Sequence, residues 1–383
     1  MNPVFQHIHR LIIKVGSSLM IGEDNQVRES WLKTLAEDIA GLRREGKQVV
    51  IITSGAVGLG RHTLRYGVRP LELEEKQAAA ACGQITLFSH WAKAFQFENA
   101  DSLYPAQILL TLDDSENRRR YLNACNTLKR LLAEPHIVPI VNENDTVATE
   151  ELRVGDNDRL AARVAQMISA DLLVLFSDID GLYTANPATT SAAGFIPEVR
   201  QITPEIEAMA GGIGSALASG GMRTKIEAAK IALAAGCHMI ISRGTEPHPL
   251  KRLVEGERCT WFRAGATPKS ARKHWISGSL NALGSYLVDE GARAALLTGK
   301  SLLPAGVRSV EGTFERGDAV TIKDFRGKII GKGLSAYSSA DAKRIIGVKS
   351  GEIERILGFK YRDTLVHRDD MALEITGLEK YES

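Results

Sequence analysis

The sequence predicts a layered α/β protein with a mainly parallel sheet, helices on both faces and a small β-rich C-terminal domain. Apolar runs rich in β-branched residues alternate with helical patterns through about the first two thirds of the chain. Continuous apolar strands are typical of a parallel sheet that is covered on both faces. After about Phe262 the pattern changes to short strand-like pieces separated by glycines. At 383 residues, the chain is long enough for a larger and a smaller domain.

Five apolar runs are predicted to be strands of the larger domain. They are Leu11–Val15, Gln48–Thr53, Ile137–Val141, Asp171–Phe176 and His238–Ser242. Apolar residues at helical spacing predict helices over Trp31–Leu42 and Leu122–Leu131. Because ligands of such sheets bind beyond the carboxyl ends of the strands, we expect the chemistry in the segments that follow them.

The C-terminal part is predicted to contain short strands, including Ala294–Leu297, Ala319–Ile322 and Lys328–Ile330. A polar, basic stretch before these pieces indicates a linker. The predicted boundaries are a larger domain over residues 1–264, a linker over 265–283, a β-rich domain over 284–361 and a tail over 362–383.

Composition and charge exclude several classes of function. A formal net charge of +2 gives no global attraction to nucleic acid, and no apolar run approaches the length of a membrane span. The N-terminus lacks the uninterrupted apolar stretch of a secretory signal, so we expect a cytoplasmic protein without a membrane partner. Four cysteines that form no C-x-x-C pair argue against a disulfide framework and against a thiolate zinc site. We predict no metal-ligating residues.

Two glycine-containing segments directly follow the first two predicted strands. In Lys14–Ser18, the glycine allows a phosphate to approach the backbone and the lysine supplies charge, although the spacing is not that of a Walker A motif. A structural turn is the alternative. Thr53–Gly60 has glycines spaced as G-x-x-G-x-G, which disfavours a dinucleotide site. Close ligand approach and tight helix packing both remain open for this segment.

Two polar segments follow the third predicted strand. Asn142–Val147 is dense in amides and carboxylates that can hold the ammonium group of an amino acid, or can form an Asx-rich turn. Val154–Asp158 precedes a predicted helix over Arg159–Ser169, and an Asp or Asn there can cap that helix. Capping does not require two aspartates, so one carboxylate could instead orient catalytic lysines.

Two further segments complete the set. Ser177–Pro187 follows the fourth strand and lacks the ligand spacing of a calcium-binding EF-hand. Ser219–Lys225 is a glycine loop that leads into an alanine-rich helix, an arrangement well suited to binding phosphates.

In this order, these segments resemble those of the amino acid kinase family. The resemblance covers nearly the whole chain, and its most specific parts are Val141–Val147, Val154–Asp158 and Ser219–Lys225. It implies transfer of a phosphoryl group from ATP, with Mg²⁺, to the side-chain carboxylate of glutamate, which opens proline biosynthesis. Within the family, aspartate, N-acetylglutamate and a nucleoside monophosphate are alternative acceptors.

The resemblance also implies a role for individual residues. Lys14 and Lys225 would stabilise the transferring phosphoryl group, and Asp158 would hold both lysines in place. The residues that would bind glutamate are Ser54, Asp145 and Asn157, with Asp156 close by. The residues that would contact ATP are Lys14, Gly16, Ser177, Asp178, Ser219, Gly220, Gly221, Met222, Arg223, Thr224 and Lys225. No general base is expected, because a carboxylate nucleophile is already ionised at neutral pH.

The resemblance further implies feedback inhibition by proline and assembly into a homo-oligomer. The β-rich domain resembles a PUA domain, with Leu303–Val307 and Phe314–Asp318 as matching pieces. Such modules accompany RNA-modifying enzymes, so RNA binding is an alternative function of a different class.

Overall fold

The computed structural model describes residues 3–22, 26–97, 102–148, 156–210, 220–278 and 281–373. The chain divides into two compact units, Met1–Pro268 (unit 1) and Lys269–Ser383 (unit 2). No helix within the described ranges is long and apolar enough to cross a membrane.

Unit 1 contains a large sheet built mainly from parallel strands. The strands of unit 1 are β1 (Arg10–Val15), β2 (Gln48–Ile52), β3 (Tyr104–Leu110), β4 (Ile137–Glu143), β5 (Leu172–Ser177), β6 (Leu182–Tyr183), β7 (Phe195–Ile196), β8 (Glu198–Val199), β9 (His238–Arg243) and β10 (Cys259–Phe262). Eight of them follow the order β3-β4-β2-β1-β5-β9-β10-β8, and β6 pairs with β7 separately. All pairs from β3 to β9 are parallel, whereas β10 is antiparallel to β9. The five strands predicted from the sequence are neighbours in this sheet, which confirms the predicted architecture.

Helices cover both faces of this sheet. They are α1 (Ser17–Met20), α2 (Glu29–Arg44), α3 (Ala56–Thr63), α4 (Leu73–Ala94), α5 (Leu112–Glu116), α6 (Arg118–Leu132), α7 (Asp156–Ile168), α8 (Pro204–Met209), α9 (Gly220–Ala234) and α10 (Pro249–Glu255), with 3-10 turns at Pro3–His7 and Asp145–Val147. The helices predicted over Trp31–Leu42 and Leu122–Leu131 correspond to α2 and α6.

Successive residues of the central strand β1 enter two separate hydrophobic cores. Leu11, Ile13 and Val15 pack with side chains of α2, α4 and α10, whereas Ile12 packs with those of α6, α7 and α9. Side chains alternate between the faces of a strand, so burial on both faces requires an apolar residue at every position. This is the reason that the strands appear in the sequence as continuous apolar runs.

Unit 2 is built around a five-stranded sheet of order β12-β11-β13-β14-β15. Its strands are β11 (Gly284–Val288), β12 (Val307–Gly312), β13 (Ala319–Lys323), β14 (Ile329–Leu334) and β15 (Met371–Leu373). From Pro268 onward the helices are α11 (Pro268–Gly278), α12 (Glu290–Leu297), α13 (Ser339–Ile345) and α14 (Ile353–Leu357), with 3-10 turns at Pro304–Gly306, Ser350–Glu352 and Arg368–Asp370. The strands predicted at Ala319–Ile322 and Lys328–Ile330 correspond to β13 and β14.

The strand predicted at Ala294–Leu297 is wrong, because these residues form the last turn of α12. The Asp289 side chain accepts a hydrogen bond from the Ala292 amide and so caps the start of this helix. Alanine is the strongest helix former, and the cap fixes where the helix begins.

Two segments outside the predicted domains carry regular structure. The segment predicted as a linker, 265–283, contains α11. The segment predicted as a tail, 362–383, contains Leu365 and Val366, which are buried in the core of unit 2, and β15, which pairs antiparallel with β14. Burial of these apolar residues stabilises the segment against the sheet.

Candidate active site

The carboxyl ends of β1, β2, β4 and β5 border one cleft of about 1770 Å³. It is lined by residues from each of the segments predicted from the sequence: Lys14, Gly16, Ser54, Asp145, Asn157, Asp158, Ser177, Asp178, Gly221, Met222 and Lys225. Parallel strands end at the same edge of a sheet, and therefore segments distant in sequence meet there.

A buried carboxylate joins two buried lysines at the centre of this cleft. The Lys14 Nζ lies 2.7 Å from Asp158 Oδ1, and the Lys225 Nζ lies 3.2 Å from Asp158 Oδ2. Asp158 is 0% exposed and each lysine is 7% exposed. The Thr224 hydroxyl donates a second hydrogen bond to Asp158 Oδ2 at 2.9 Å. The carboxylate therefore fixes both ammonium groups on the same side of the cleft.

Burial and neighbouring charges both shift the pKa values of Lys14 and Asp158. Burial lowers the pKa of Lys14, and the nearby Lys225 ammonium lowers it further, while Asp158 partly offsets both effects. Burial alone would raise the pKa of Asp158, but the charges of Lys14 and Lys225 outweigh it, so this pKa lies below its ordinary value. Asp158 is accordingly ionised at neutral pH.

Most of the segment predicted as a glycine loop, from Gly220 to Lys225, forms the first turns of α9. Lys225 Nζ donates to the carbonyl of Gly221 at 3.2 Å, and the Thr224 hydroxyl oxygen lies 3.0 Å from the same carbonyl oxygen. Gly221 and Met222 line the cleft. The first backbone N–H groups of a helix have no partner within it and attract anions. Two ammonium groups and a helix N-terminus in one cleft suit a phosphate-bearing ligand.

Amide groups occupy the part of the cleft beside the ends of β2 and β4. Asn157 Nδ2 donates to Ser54 Oγ at 2.8 Å, and Asn142 Nδ2 donates to Gln84 Oε1 at 2.7 Å. The amide oxygens of both asparagines are buried and have no hydrogen-bond partner within the described part of the chain. Buried polar atoms without a partner are rare and costly, so both oxygens are candidates for ligand contact.

The glycines after β2 serve both purposes that the sequence left open. Gly55 has φ +112°, a conformation that favours glycine, and it lines the cleft together with Gly58. Gly60 packs instead against α4, where a Cβ would lie 1.7 Å from the carbonyl oxygen of Ala79. One end of the segment therefore leaves room for a ligand, and the other end allows close helix packing.

Comparison with models of known protein families shows which family this chain belongs to. The model of the amino acid kinase family matches residues 9–242, which is more than half of the chain. This chain belongs to the amino acid kinase family. A second model, that of the PUA domain, matches residues 284–357 in unit 2.

Curated relatives within the amino acid kinase family are similar over nearly their full length. A protein of Paramagnetospirillum magneticum named glutamate 5-kinase is 59% identical, covering 95% of this chain and 98% of its own. Glutamate 5-kinases of Sinorhizobium fredii and Rhodopseudomonas palustris are 53% and 54% identical, covering 95% and 97% of this chain and 92% and 98% of their own. A solved UMP kinase from Bacillus anthracis is 13% identical with a TM-score of 0.47, covering 68% of this chain and 98% of its own. So weak a likeness does not bear on the acceptor.

Some residues that the resemblance to the amino acid kinase family implicated do not line the cleft. Thr224 contacts Asp158 through its hydroxyl group, and Arg223 is exposed and donates from Nε to Glu227 Oε1 at 3.3 Å. Ser219 lies outside the described residues. Gly220 begins α9 and Asp156 begins α7. The side chain of Asp156, like Ser219, lies outside the described part of the chain.

The side of the cleft beyond β5 depends on a residue that no motif indicated. Ser177 Oγ donates to Asp178 Oδ1 at 2.9 Å, and both residues line the cleft. Further along, Arg258 Nε donates to Asp180 Oδ2 at 2.6 Å and Arg258 Nη2 donates to the Tyr183 hydroxyl at 2.9 Å. Arg258 follows α10, far in sequence from the motif that it supports, and only its basic character could have drawn attention to it.

Histidine, cysteine, aspartate and glutamate side chains do not gather in groups of three or more suited to a metal within the described ranges. The Asp158 oxygens already contact Lys14, Lys225 and Thr224. The Asp158 carboxylate is therefore already engaged by three protein groups.

Proposed function

We propose that this protein transfers the terminal phosphoryl group of ATP to the side-chain carboxylate of L-glutamate, forming L-glutamyl 5-phosphate. The relatives named glutamate 5-kinase, at 53–59% identity over nearly the whole chain, support glutamate as the acceptor. The observation that carries the chemistry is the pair of buried lysines held by one carboxylate in the cleft.

Lys14 and Lys225 are proposed to neutralise charge on the phosphoryl group as it transfers. Phosphoryl transfer depends mainly on positioning and electrostatic stabilisation, and preorganised charges in a water-poor site do this without reorganising. Asp158 is fully buried and contacts both lysines, so its proposed role is to position them. The backbone N–H groups of the first turn of α9 add further donors.

Glutamate is proposed to bind on the side of the cleft that contains Ser54, Asn157 and Asp145, with Asp156 retained as a predicted contact. The side-chain carboxylate is ionised at neutral pH and can attack phosphorus directly. A general base is therefore not required. The unpartnered amide oxygens of Asn142 and Asn157 suit the substrate ammonium group.

ATP is proposed to bind between Ser177–Asp178 and the start of α9, in contact with Gly16, Gly221 and Met222, which line the cleft. The resemblance also implicates Ser219, Gly220, Arg223 and Thr224, and these contacts remain predictions. Mg²⁺ usually binds through nucleotide phosphates with few protein carboxylates. We propose that it arrives with ATP, where it neutralises phosphate charge.

The wider consequences of this proposal are also predictions. They comprise entry into proline biosynthesis, feedback inhibition by proline, homo-oligomeric assembly and a cytoplasmic location. We propose that residues 1–264 carry catalysis and that the PUA domain, predicted at 284–361, contributes regulation or assembly. RNA binding by this domain remains the alternative of a different class.

The acceptor can be tested by measuring ADP release with L-glutamate, L-aspartate, N-acetyl-L-glutamate and UMP, each with ATP and Mg²⁺. We expect turnover with glutamate to exceed that with the other acceptors. Lys225→Ala is the matched control, because it should abolish most turnover while leaving contaminating kinases unaffected. Preferential turnover of another acceptor would replace glutamate in the proposal.

A further inference from the structure

Glutamate carries three charged groups, and the proposed site accounts for two of them. The side-chain carboxylate is placed beside Lys14 and Lys225, and the ammonium group beside Asp145 and the amide oxygens of Asn142 and Asn157. The remaining group, the α-carboxylate, requires a donor in the same part of the cleft. A cation is the strongest candidate, because hydrogen bonds between ionised groups are about twice as strong as neutral ones.

Among the residues that the structure describes, three further cationic side chains line the cleft, namely those of Arg61, Lys76 and Arg243. Arg243 ends β9, and its charge acts on Tyr183, on the side of the cleft beyond β5. Arg61 lies on α3, and its Nη2 donates to the carbonyl of Arg69 at 2.6 Å. Lys76 is the fourth residue of α4.

The environment of Lys76 leaves its ammonium group available for a ligand. The adjacent carboxylate, Glu75, binds Arg69 through both oxygens, and this contact and the backbone bond from Glu72 lower the pKa of Glu75 to about 2. Glu75 is therefore already paired with Arg69. The Lys76 ammonium forms no ion pair or side-chain hydrogen bond with any residue in the described ranges.

The position of Lys76 is tied to the segment that contains Asp145. Gln77, the next residue of α4, donates from Nε2 to the carbonyl of Ala148 at 3.0 Å. This bond fixes the start of α4 beside the turn Asp145–Val147. A cation and a set of oxygen acceptors thus flank the same part of the cleft, as required for a substrate that carries an ammonium and a carboxylate on one carbon.

We infer that Lys76 binds the α-carboxylate of glutamate and thereby sets specificity for an acceptor with a free α-carboxylate. This inference rests on the proposed function, since it concerns the same substrate. Lys76 then orients glutamate without contacting the transferring phosphoryl group. Its loss affects acceptor binding more than the chemical step.

The test compares the full-length wild type with Lys76→Met, which keeps an unbranched side chain one atom shorter and without the charge, and with Lys76→Arg, which keeps the charge. We expect Lys76→Met to raise the KM for glutamate about 10- to 100-fold, the size of one lost hydrogen bond between charged groups. The kcat and the KM for ATP should change little, and Lys76→Arg should recover part of the glutamate affinity. Lys93→Met is the matched control, because Lys93 lies on the same helix but is exposed and pairs with Glu29.

The second readout is selectivity between glutamate and its α-amide, L-isoglutamine, which differs only in the charge and oxygen at the proposed contact. The wild type should prefer glutamate in kcat/KM, and Lys76→Met should lose most of that preference because its glutamate value falls while its α-amide value stays. Where α-amide turnover is too slow to measure, its inhibition constant against glutamate supplies the comparison.

Two results would overturn the inference. One is an unchanged KM for glutamate in Lys76→Met. The other is an equal loss for glutamate and its α-amide, because that indicates a structural defect. Both presuppose a wild type that phosphorylates glutamate. A wild type without this activity refutes the proposed function itself, so the two failures are distinguishable.

Discussion

Replacement of Asp158 by asparagine is the perturbation that tests how the two lysines are held. The substitution keeps the shape of the side chain but removes the negative charge from between two ammonium groups. The ammonium groups of Lys14 and Lys225 lie 2.7 Å and 3.2 Å from Asp158 oxygens and are nearly inaccessible to solvent. Water can therefore screen little of the lost charge. The amide also presents an NH₂ group where one ammonium requires an acceptor.

The expected effect has a catalytic and a structural part. Loss of one preorganised electrostatic contact costs about 2–4 kcal/mol of transition-state stabilisation, which corresponds to a fall in kcat of about 30- to 1000-fold. Removal of one partner of a buried ion pair typically costs about 3–5 kcal/mol of folding stability. The KM for glutamate should change little, because Asp158 is not proposed to contact the acceptor.

Steady-state kinetics across pH separate this explanation from a general structural defect. Asp158 raises the pKa of Lys14 against the effect of burial, so its removal should lower that pKa further. The fall in kcat with rising pH should therefore begin at lower pH in Asp158→Asn than in the wild type. A folded variant with unchanged kcat, or with a pH profile identical to that of the wild type, would refute the positioning role.

The folding stability that Asp158 contributes should also depend on pH. The folded-state pKa of Asp158 is lowered, so its contribution to stability is fully present above its ordinary pKa of 3.8 and is lost as pH falls through the folded-state value. The difference in melting temperature between the wild type and Asp158→Asn should accordingly shrink in acid, as thermal unfolding at several pH values can show.

Three further predictions follow from the same site. Asp145→Asn should raise the KM for glutamate with little change in kcat, and identical behaviour of Asp145→Asn and Asp158→Asn in initial rates would refute the division of roles. Proline should inhibit competitively with glutamate, whereas non-competitive kinetics, or no effect at millimolar concentrations, would argue against a shared pocket. A chain ending at Pro268 should fold and phosphorylate glutamate, because every proposed contact precedes that residue. A truncated protein that circular dichroism shows to be folded, but that lacks activity, would place part of the site in unit 2.

The sheet of unit 1 was predictable because its central strands are buried on both faces. Continuous apolar runs such as Leu11–Val15 and Asp171–Phe176 leave little ambiguity. The edge strand β3 was missed, since Tyr104 is 62% exposed and Leu109 is 38% exposed, and Pro105 interrupts the pattern. In unit 2, the short apolar run Ala294–Leu297 could not distinguish a strand from a helix, and the capping residue Asp289 decided the outcome.

The centre of the candidate site was predictable for a different reason. Lys14 and Asp158 belong to polar segments beside strand ends, where the topology of a parallel sheet concentrates ligand contacts. Lys76 and Arg258 were missed, because they lie on other elements and approach the cleft only through tertiary packing. Sequence spacing along one segment carries no information about such residues.

Formation of an acyl phosphate is the most direct measure of the proposed reaction. The full-length protein is incubated with ATP, Mg²⁺, L-glutamate and hydroxylamine, which converts an acyl phosphate into a stable hydroxamate. We expect glutamyl hydroxamate to form in proportion to ADP, and to be lost when glutamate is omitted or when Lys225→Ala replaces the wild type. ADP release with glutamate but without hydroxamate, or no reaction of glutamate at all, would contradict carboxylate phosphorylation.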